Sequence, residues 1–468
     1  MSNPIANYEQ FLSADEIAAL SAALEQPLYP SIRLNTLKVD RSIIEAWAVR
    51  FGWQLEPVSF CATGWQILNN PEIPLGRTLP HRMGQYYIQD AASMIPVEMF
   101  SEADRPFILD MAAAPGGKTT HLVDRYADRA FIVANDSSQK RMTALRSNLQ
   151  TWGAMGVMLS NYAGEQLGNW FNEAFDKVLL DAPCSGDTLR EETGNKKRHV
   201  SDTERERLSQ RQLALLISGV RALRVGGELV YSTCTLNPEE NEGVLSALVR
   251  DYPVEIEAVE GFPHTGIVAE GFHPSVGRAV RLWPHLFRTS GFFSARLRKL
   301  DVVPAIELEP PTSHGTWVRV RDEEISSIVQ QLKDDYSFDF EPIIAEYRLD
   351  LYRKGEHIYA IPTNLMAEFG DLTVMSIGLL IGQYEKSRFI PSHEFVSRFW
   401  EQFIGCRYLL ADPQLQDIWL AGRDLRNVEV PQSLMKQVLL LHNEHEEFIG
   451  RGHAQPTRIR NLLPKRVI

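Results

Sequence analysis

Alternating strand and helix patterns between residues 105 and 300 predict an α/β fold with a doubly wound, mostly parallel sheet. Three observations carry this. Phe107–Leu109, Ala130–Ala134, Val157–Leu159, Val178–Leu180 and Glu228–Tyr231 are strand-length and largely apolar, as strands covered on both faces are. Helical spacing separates them, at Thr119–Tyr126, Ser138–Trp152 and residues 203–224. A glycine-rich turn, Asp110-Met-Ala-Ala-Ala-Pro-Gly-Gly-Lys118, joins the first strand to its helix. Such sheets place ligands beyond the carboxyl ends of their strands.

The chain has 468 residues, 44 % of them hydrophobic and 23 % charged. That length predicts two to four domains. Cys61, Cys184, Cys234 and Cys406 are widely spaced, so neither a zinc site nor a disulfide framework is expected. The opening Met1–Ala6 lacks the basic flank and apolar run of a secretory leader. No apolar run reaches the ~18 residues a membrane span needs. A cytoplasmic protein with reduced thiols is the expectation. The net charge of −12 weighs against a nucleic-acid partner at the scale of the whole chain, yet one basic face suffices to bind phosphate.

The elements follow in order. Ser13 and Glu16 form a capping box ahead of Ile17, Leu20 and Leu24, predicting a helix to about residue 25 that Pro27 and Pro30 end. Ser31–Lys38 alternates as a strand, a helix follows at Arg41–Val49, and turn-rich strands run to Leu79. Tyr86–Ser93 is expected to lead a helix into the central sheet. Gly226-Gly227 is expected to stop the helix over 203–224, and Phe292–Leu297 to form the last strand. Residues 301–316 read as a linker. Arg321–Lys333 reads as a helix and Tyr347–Ala360 as a hairpin. The expected domains are therefore 1–79 (small α+β), 80–300 (the large sheet), 301–362 (linker and bridge) and 363–468. Gly450–Ile468 carries Arg451, Arg458, Arg460, Lys465 and Arg466 and no acid, the clearest basic patch in the chain.

The turn Ala112, Ala113, Ala114, Pro115, Gly116, Gly117, Lys118 lacks both the Gly-x-Gly-x-x-Gly cradle and P-loop spacing. A tight turn after the first strand and Asp136 ending the second suit a nucleoside cofactor without phosphates. Gly116 and Gly117 let a ligand approach the backbone, and Asp136 would accept from a ribose diol. S-adenosylmethionine, a nicotinamide, or no cofactor remain open on these residues. Lys118 reads as the partner of Asp110 or a nearby carboxylate.

Val178-Leu-Leu-Asp-Ala-Pro-Cys-Ser-Gly186 and Glu228-Leu-Val-Tyr-Ser-Thr-Cys-Thr235 each end a strand in a cysteine. A lone internal cysteine is usually a small buried hydrophobe. Two on one rim of a nucleoside-cofactor fold point to reactive thiolates. Cytosine C5 becomes nucleophilic once a thiolate adds to C6. The adduct then needs an acid near N3 and a base for the C5 proton. Asp181 suits N3 and the exocyclic amine. On such a base one cysteine could attack while the other assists resolution.

With these motifs the chain resembles the RNA cytosine-C5 methyltransferase family, the Nop2/Sun/Fmu group, and within it the bacterial 16S ribosomal RNA enzymes with a carboxyl-terminal extension. Ser31–Lys38, Tyr87–Ser93, Leu109–Thr120, Leu180–Gly186 and Tyr231–Glu242 carry the likeness over residues 31–300. Ser376–Gly382, Arg388–His393 and Arg458–Lys465 resemble a PUA-like RNA-binding module. The resemblance implies an S-adenosylmethionine methyltransferase sheet with a small RNA-binding α+β domain before it and the PUA-like region after it. It implies Cys234 as nucleophile and Cys184 in product release. Asp181 would lie near the base, and Ala112–Lys118, Asp136, Arg141, Asn161 and Asp181 along the cofactor. It implies methylation of cytosine C5 in 16S ribosomal RNA, acting on the RNA or the 30S subunit, by a monomer with no obligate protein partner, no resident metal and no membrane. A tRNA methyltransferase and a non-catalytic ribosome assembly factor are the alternatives. Two departures stand out. Ala163 occupies the place of an acid usual near the adenine, with Asn161 or Glu165 as substitute. Asp187–Arg198 replaces a basic segment, its role passing to Arg190 or Lys196–Arg198.

Overall fold

Ser13 accepts from the Glu16 amide (3.3 Å) while Glu16 accepts from the Ser13 amide (2.8 Å). This is the capping box read from sequence, and it starts the helix Ala14–Glu25. The computed structural model describes residues 5, 8–186, 200–263, 265–306, 308–312 and 317–468. The substituted segment Asp187–Arg198 therefore lies outside the described residues. An antiparallel sheet follows, with β1 (Ser31–Leu34), β2 (Leu55–Pro57), β3 (Gly64–Ile67) and β4 (Tyr86–Ile88) in the order β2-β3-β1-β4. It closes over Trp47 and Ile44 of the helix Ile43–Phe51. β4 lies beyond the expected boundary at 79/80, so the first unit is longer than composition suggested. β1 also stops four residues short of Lys38. Asn35 turns inward, and its amide donates to the Gly84 and Trp152 carbonyls (2.8 and 3.0 Å), a tertiary demand that alternation cannot reveal.

The central sheet has β5 (Phe107–Asp110), β6 (Phe131–Asn135), β7 (Val157–Ser160), β8 (Phe175–Asp181), β9 (Leu223–Thr233), β10 (Val254–Glu257), β11 (Val280–Leu282) and β12 (Phe292–Lys299). β9-β8-β5-β6-β7 are parallel neighbours, and β12 then joins β9 antiparallel, followed by β10. Val178, Leu179 and Leu180 are wholly buried at the middle of it. The helix expected to end at Gly226-Gly227 ends at Ala222, and both glycines belong to β9. They fit a shift in the β8–β9 register: Gly226 has φ +81°, and a Cβ on Gly227 would meet the Asp176 carbonyl at 2.8 Å.

After the linker, β13 (Val318–Arg319), β14 (Leu349–Lys354) and β15 (His357–Pro362) begin a second antiparallel sheet. β16 (Ser376–Ile377) leaves it to pair with β7 on the free edge of the central sheet. β17 (Leu379–Glu385) and β18 (Arg388–Pro391) complete the second sheet. Because β15 pairs with β17, one sheet runs straight through the expected boundary at 362/363. β19 (Arg407–Leu409), β20 (Leu425–Arg426), β21 (Val438–His442), β22 (Phe448–Gln455) and β23 (Arg458–Asn461) make the last, PUA-like sheet. Among the described residues no helix is long and apolar enough to cross a membrane.

The basic carboxyl-terminal stretch is largely neutralised by folding. Arg458 pairs with Asp424 (3.2 Å) and Arg466 with Glu394, while Arg451 is half-buried and donates to the Pro391 carbonyl. Arg460 and Lys465 are exposed, and among the described residues no carboxylate pairs with them. Neutralising those two is expected to reduce the slope of log RNA affinity against log salt by about 1–2. Neutralising Arg458 should leave the slope almost unchanged. Filter binding over a salt series checks this, and equal slopes for the wild type and the Arg460/Lys465 variant would remove these residues from the RNA contact.

Candidate active site

β8 and β9 run parallel with Asp181 beside Ser232, so the segments after them leave the sheet together. The Ala182 amide still donates to the Ser232 carbonyl (2.8 Å). Pro183 lacks an amide donor and ends the ladder. Cys184 and Cys234 then face one another with sulfurs 3.0 Å apart, Cys184 half-buried and Cys234 exposed. Asp181 accepts from the Ser232 hydroxyl through Oδ1 (2.8 Å) and from Lys118 Nζ through Oδ2 (2.7 Å). The helix expected from Thr119 starts at Gly117, which puts Lys118 in its first turn, pointed at that carboxylate and 5.4 Å from the Phe292 ring centre. Lys118 thus pairs with Asp181 rather than Asp110. Asp110 accepts instead from the Thr119 hydroxyl (2.7 Å), and burial pushes its carboxyl up to about 7.

The two thiols are unequal. The hydrogen bond with Cys184 lowers the Cys234 thiol; burial and Asp181 oppose this and the nearby Lys118 charge helps. The same bond, together with burial, pushes Cys184 up. Cys234 is therefore the sulfur that ionises first, and a thiolate is the attacking form.

A row of buried polar side chains that sequence reasoning did not single out holds both cysteine segments. Glu240 accepts from the Ser185 amide (2.9 Å) and from Gln212 Nε2 (3.0 Å), and Gln212 also donates to the Pro183 carbonyl (2.9 Å). Thr233 donates to Asn241 (2.6 Å), which donates back to the Thr235 carbonyl (2.9 Å). Arg281 pairs with Glu242 (2.5 Å) and donates to the Leu236 carbonyl. Glu240, Asn241 and Glu242 are all wholly buried, although the segment Pro-Glu-Glu-Asn-Glu reads as a solvated turn. Its composition gave no signal of burial, because the partners come from distant elements.

On the other side of Lys118 lies a cavity of about 250 Å³. It is lined by Ala112, Ala113, Ala114, Pro115, Gly117, Lys118 and Asp181, and opposite them by Tyr87, Gln89, Asp90 and Ser93. Gly116 sits at φ +112°, and a Cβ on Gly117 would meet the Tyr87 ring at 3.3 Å, so the turn is shaped for close approach of a ligand to backbone. Asp136, Arg141 and Asn161 adjoin this turn without lining the cavity. Asp136, which follows the second strand, faces inward. It is 2 % exposed and accepts from the amides of Ala114 (3.1 Å) and Ser138 (2.8 Å). Arg141 pairs with it (3.4 Å) and donates to the Ala114 carbonyl, and Asn161 donates to the Asp136 carbonyl (2.5 Å). Glu165, the other substitute for Ala163, is held by Arg211 (3.0 Å).

The inward position of Asp136 sets what its variants should do. Asp136→Ala should lose about 1–3 kcal/mol of stability through two orphaned amides, as well as cofactor affinity. Asp136→Asn should retain most of the stability and still lose affinity. Calorimetry beside thermal unfolding checks the split, and equal affinity of Asp136→Asn and wild type would take this residue out of the cofactor site.

A second cluster of titratable groups lies outside the cavity lining. Potential ligand atoms of Cys61, Glu98 and His121 lie within 4.8 Å of one another. These groups already bond to each other and to the protein: Glu98 to His121 Nε2 (3.0 Å) and Arg125 (2.7 Å), and His121 to the Cys61 sulfur (3.8 Å). Burial pushes the Cys61 thiol up to about 12, the wrong direction for a nucleophile. Burial and the neighbouring Arg33 push His121 down to about 4. Burial alone would raise Glu98, but His121 and Arg125 outweigh it and hold it down to about 2.

A histidine depressed on folding gives stability that is complete above its unfolded value near 6.5 and is lost as pH falls towards 4. Glu98 titrates below that window. Between pH 7 and 5 His121 should cost about 2 kcal/mol, at about 1.4 kcal/mol per pH unit. Asp110, raised on folding, works in the opposite sense over the same range. The His121→Gln variant should therefore lose less stability than wild type between these pH values, the Asp110 contribution cancelling in the comparison. Parallel urea titrations at pH 7 and 5 check this; equal losses would show that His121 does not titrate there.

The family model described as 16S rRNA methyltransferase RsmB/F matches residues 98–298. The N-terminal domain of 16S rRNA methyltransferase RsmF matches residues 3–91, and the RsmF rRNA methyltransferase first C-terminal domain matches 338–398. The chain is 32 % identical over 461 residues to ribosomal RNA small subunit methyltransferase F of Vibrio cholerae serotype O1 (strain M66-2), covering 97 % of this chain and 94 % of the relative. The chain belongs to the RsmB/F family. It is also 32 % identical to the protein of that description from Photobacterium profundum, over 98 % of this chain and 94 % of the other. A crystal structure of a methyltransferase homolog protein from Pyrococcus horikoshii superposes with TM-score 0.56 at 31 % identity, over 64 % of this chain and 96 % of that one. NSun6 from the same organism, crystallised with SFG, has the same TM-score at 23 % identity, over 64 % and 98 %, and shares the fold. Of the family domains, the first ends at residue 91 and the third crosses 362, in step with the sheets.

Proposed function

We propose that this chain methylates C5 of cytosine in 16S ribosomal RNA through a covalent adduct between Cys234 and C6. The observation that carries the reading is the pair of sulfurs at 3.0 Å beside the Asp181–Lys118 pair, on the rim of the cavity lined by Ala112–Lys118. S-adenosylmethionine is the methyl donor. The residues fit it: a backbone turn that tolerates close approach, an acid at the end of the second strand, and Asn161 beside that acid. When bound, it supplies an electrophilic methyl group on a sulfonium.

The chain's own residues do the rest. Asp181, held by Lys118 and Ser232, takes the N3 edge of the cytosine and orients it. The Cys234 thiolate adds to C6, pushing electron density to C5, while N3 is stabilised as charge develops there. After methylation the C5 proton must leave and the Cys234–C6 bond must break. Cys184, already bonded to Cys234, assists this release. All of these groups come from one chain, which supports a monomer. Two free thiols are required, which supports a reducing, cytoplasmic setting. Residues 1–91 and the last sheet, with Arg460 and Lys465, hold RNA together beside the catalytic sheet, since Arg50 pairs with Glu447 (2.8 Å) and Arg82 donates to the Val467 carbonyl (2.7 Å).

Mapping of 5-methylcytosine by mass spectrometry in ribosomal RNA and tRNA, from cells with and without the gene, tests the reading. Loss of one or more residues from 16S RNA is the expected result. Loss from tRNA alone would select the tRNA reading, and no loss from either would favour a non-catalytic assembly factor.

A further inference from the structure

The geometry points to a second chemistry for the active-site thiols: Cys184 and Cys234 form a reversible disulfide when a hydroperoxide reaches them, and that bond switches methyl transfer off. The sulfurs stand 3.0 Å apart, so about 1 Å of closure reaches a disulfide bond length. Cys234 is exposed to a small oxidant and Cys184 is half-buried behind it. Glu240 and Gln212 hold Ser185 and Pro183 on either side of Cys184, so the second sulfur waits in place. Just beyond, Gly186 has φ +71°, with nothing among the described residues within 4 Å of a Cβ position. An accessible, readily ionised thiol beside a second cysteine is the arrangement that oxidises reversibly. The remaining cysteines are unsuited. Cys61 and Cys406 are buried, burial pushes them up to about 12 and about 11, and Cys406 is bonded to Gln437.

The chemistry balances with hydrogen peroxide as oxidant. The Cys234 thiolate attacks one peroxide oxygen, the O–O bond breaks, and hydroxide leaves and takes a proton to become water. Cys234 is then a sulfenic acid. The Cys184 sulfur attacks it, the S–S bond forms, the S–O bond breaks, and hydroxide departs with the Cys184 proton as a second water. Two thiols and one peroxide give one disulfide and two waters. In that state Cys234 is no longer a thiolate, the form that adds to C6.

The test is peroxide treatment of the reduced full-length chain, followed by intact mass and peptide mapping. The expected product is lighter by about 2 Da, with peptides linked through Cys184 and Cys234. Dithiothreitol should restore both mass and methyl transfer. In Cys184→Ser the same treatment should carry Cys234 on to sulfinic acid, which dithiothreitol does not reverse. Free thiols at both positions after peroxide, sulfinic acid on Cys234 of the unaltered chain, or a bridge between any other pair would overturn the inference. The mass readout needs no RNA, so it is independent of whether 16S RNA is the substrate.

Discussion

Cys234→Ala is expected to abolish methyl transfer, by roughly ten-thousandfold or more, and to form no covalent species with RNA. Without the thiolate nothing adds to C6, and C5 stays too poor a nucleophile to take the methyl group. Cys184→Ala should behave differently. Its loss removes the hydrogen bond that lowers the Cys234 thiol, so attack should slow at neutral pH and recover as pH rises. Lys118 still favours the Cys234 thiolate, so adducts form. Their resolution stalls, and the variant should accumulate a protein–RNA species that survives denaturing electrophoresis. The two variants thus separate attack from release on one gel. An adduct trapped by Cys234→Ala instead would reverse the assignment, and full activity of that variant would end it.

The second large effect concerns the support beneath Cys234. Arg281 and Glu242 are both wholly buried, and Arg281 also lies over the rings of Trp283 and Phe293 at 5.3 and 5.5 Å. Arg281→Met should destabilise the chain by about 3–5 kcal/mol, because it leaves a carboxylate buried without its partner. The double variant Arg281→Met with Glu242→Leu should regain much of that loss, since the uncompensated charge goes too. Urea unfolding of the four proteins checks the cycle. A single variant within about 1 kcal/mol of wild type would show that solvent reaches this pair. The loss should also reach the chemistry, since Arg281 holds the Leu236 carbonyl two residues from Cys234.

The fold was legible because apolar strand cores and helical spacing are local signals. Val178–Leu180, the capping box and the hairpin at Lys354-Gly355 needed only their neighbours. The convergence of Asp181, Cys184 and Cys234 was legible for a related reason: parallel strands of one sheet bring their ends to one rim. What escaped depends on partners far along the chain. Asp136 faces inward because two turn amides need an acceptor. The basic end meets Asp424 and Glu394, which no tail composition contains. Glu240 and Gln212 are 28 residues apart in sequence and meet at 3.0 Å. Local pattern places a residue on an element, but its burial is decided by what packs against that element.

The pairing of β16 with β7 has a consequence for how the chain can be divided. Ser376 and Ile377 lie against Leu159 and Met158, and the amides of Met375 and Gly378 donate to the carbonyls of Leu159 and Val157. A strand margin stripped of such cover is a template for joining other chains. A fragment cut after Lys299 would keep every catalytic group yet bare this margin, and it should associate sheet to sheet in solution. The carboxyl-terminal region therefore serves solubility, and the smallest well-behaved piece that keeps Asp181, Cys184 and Cys234 must extend past residue 378.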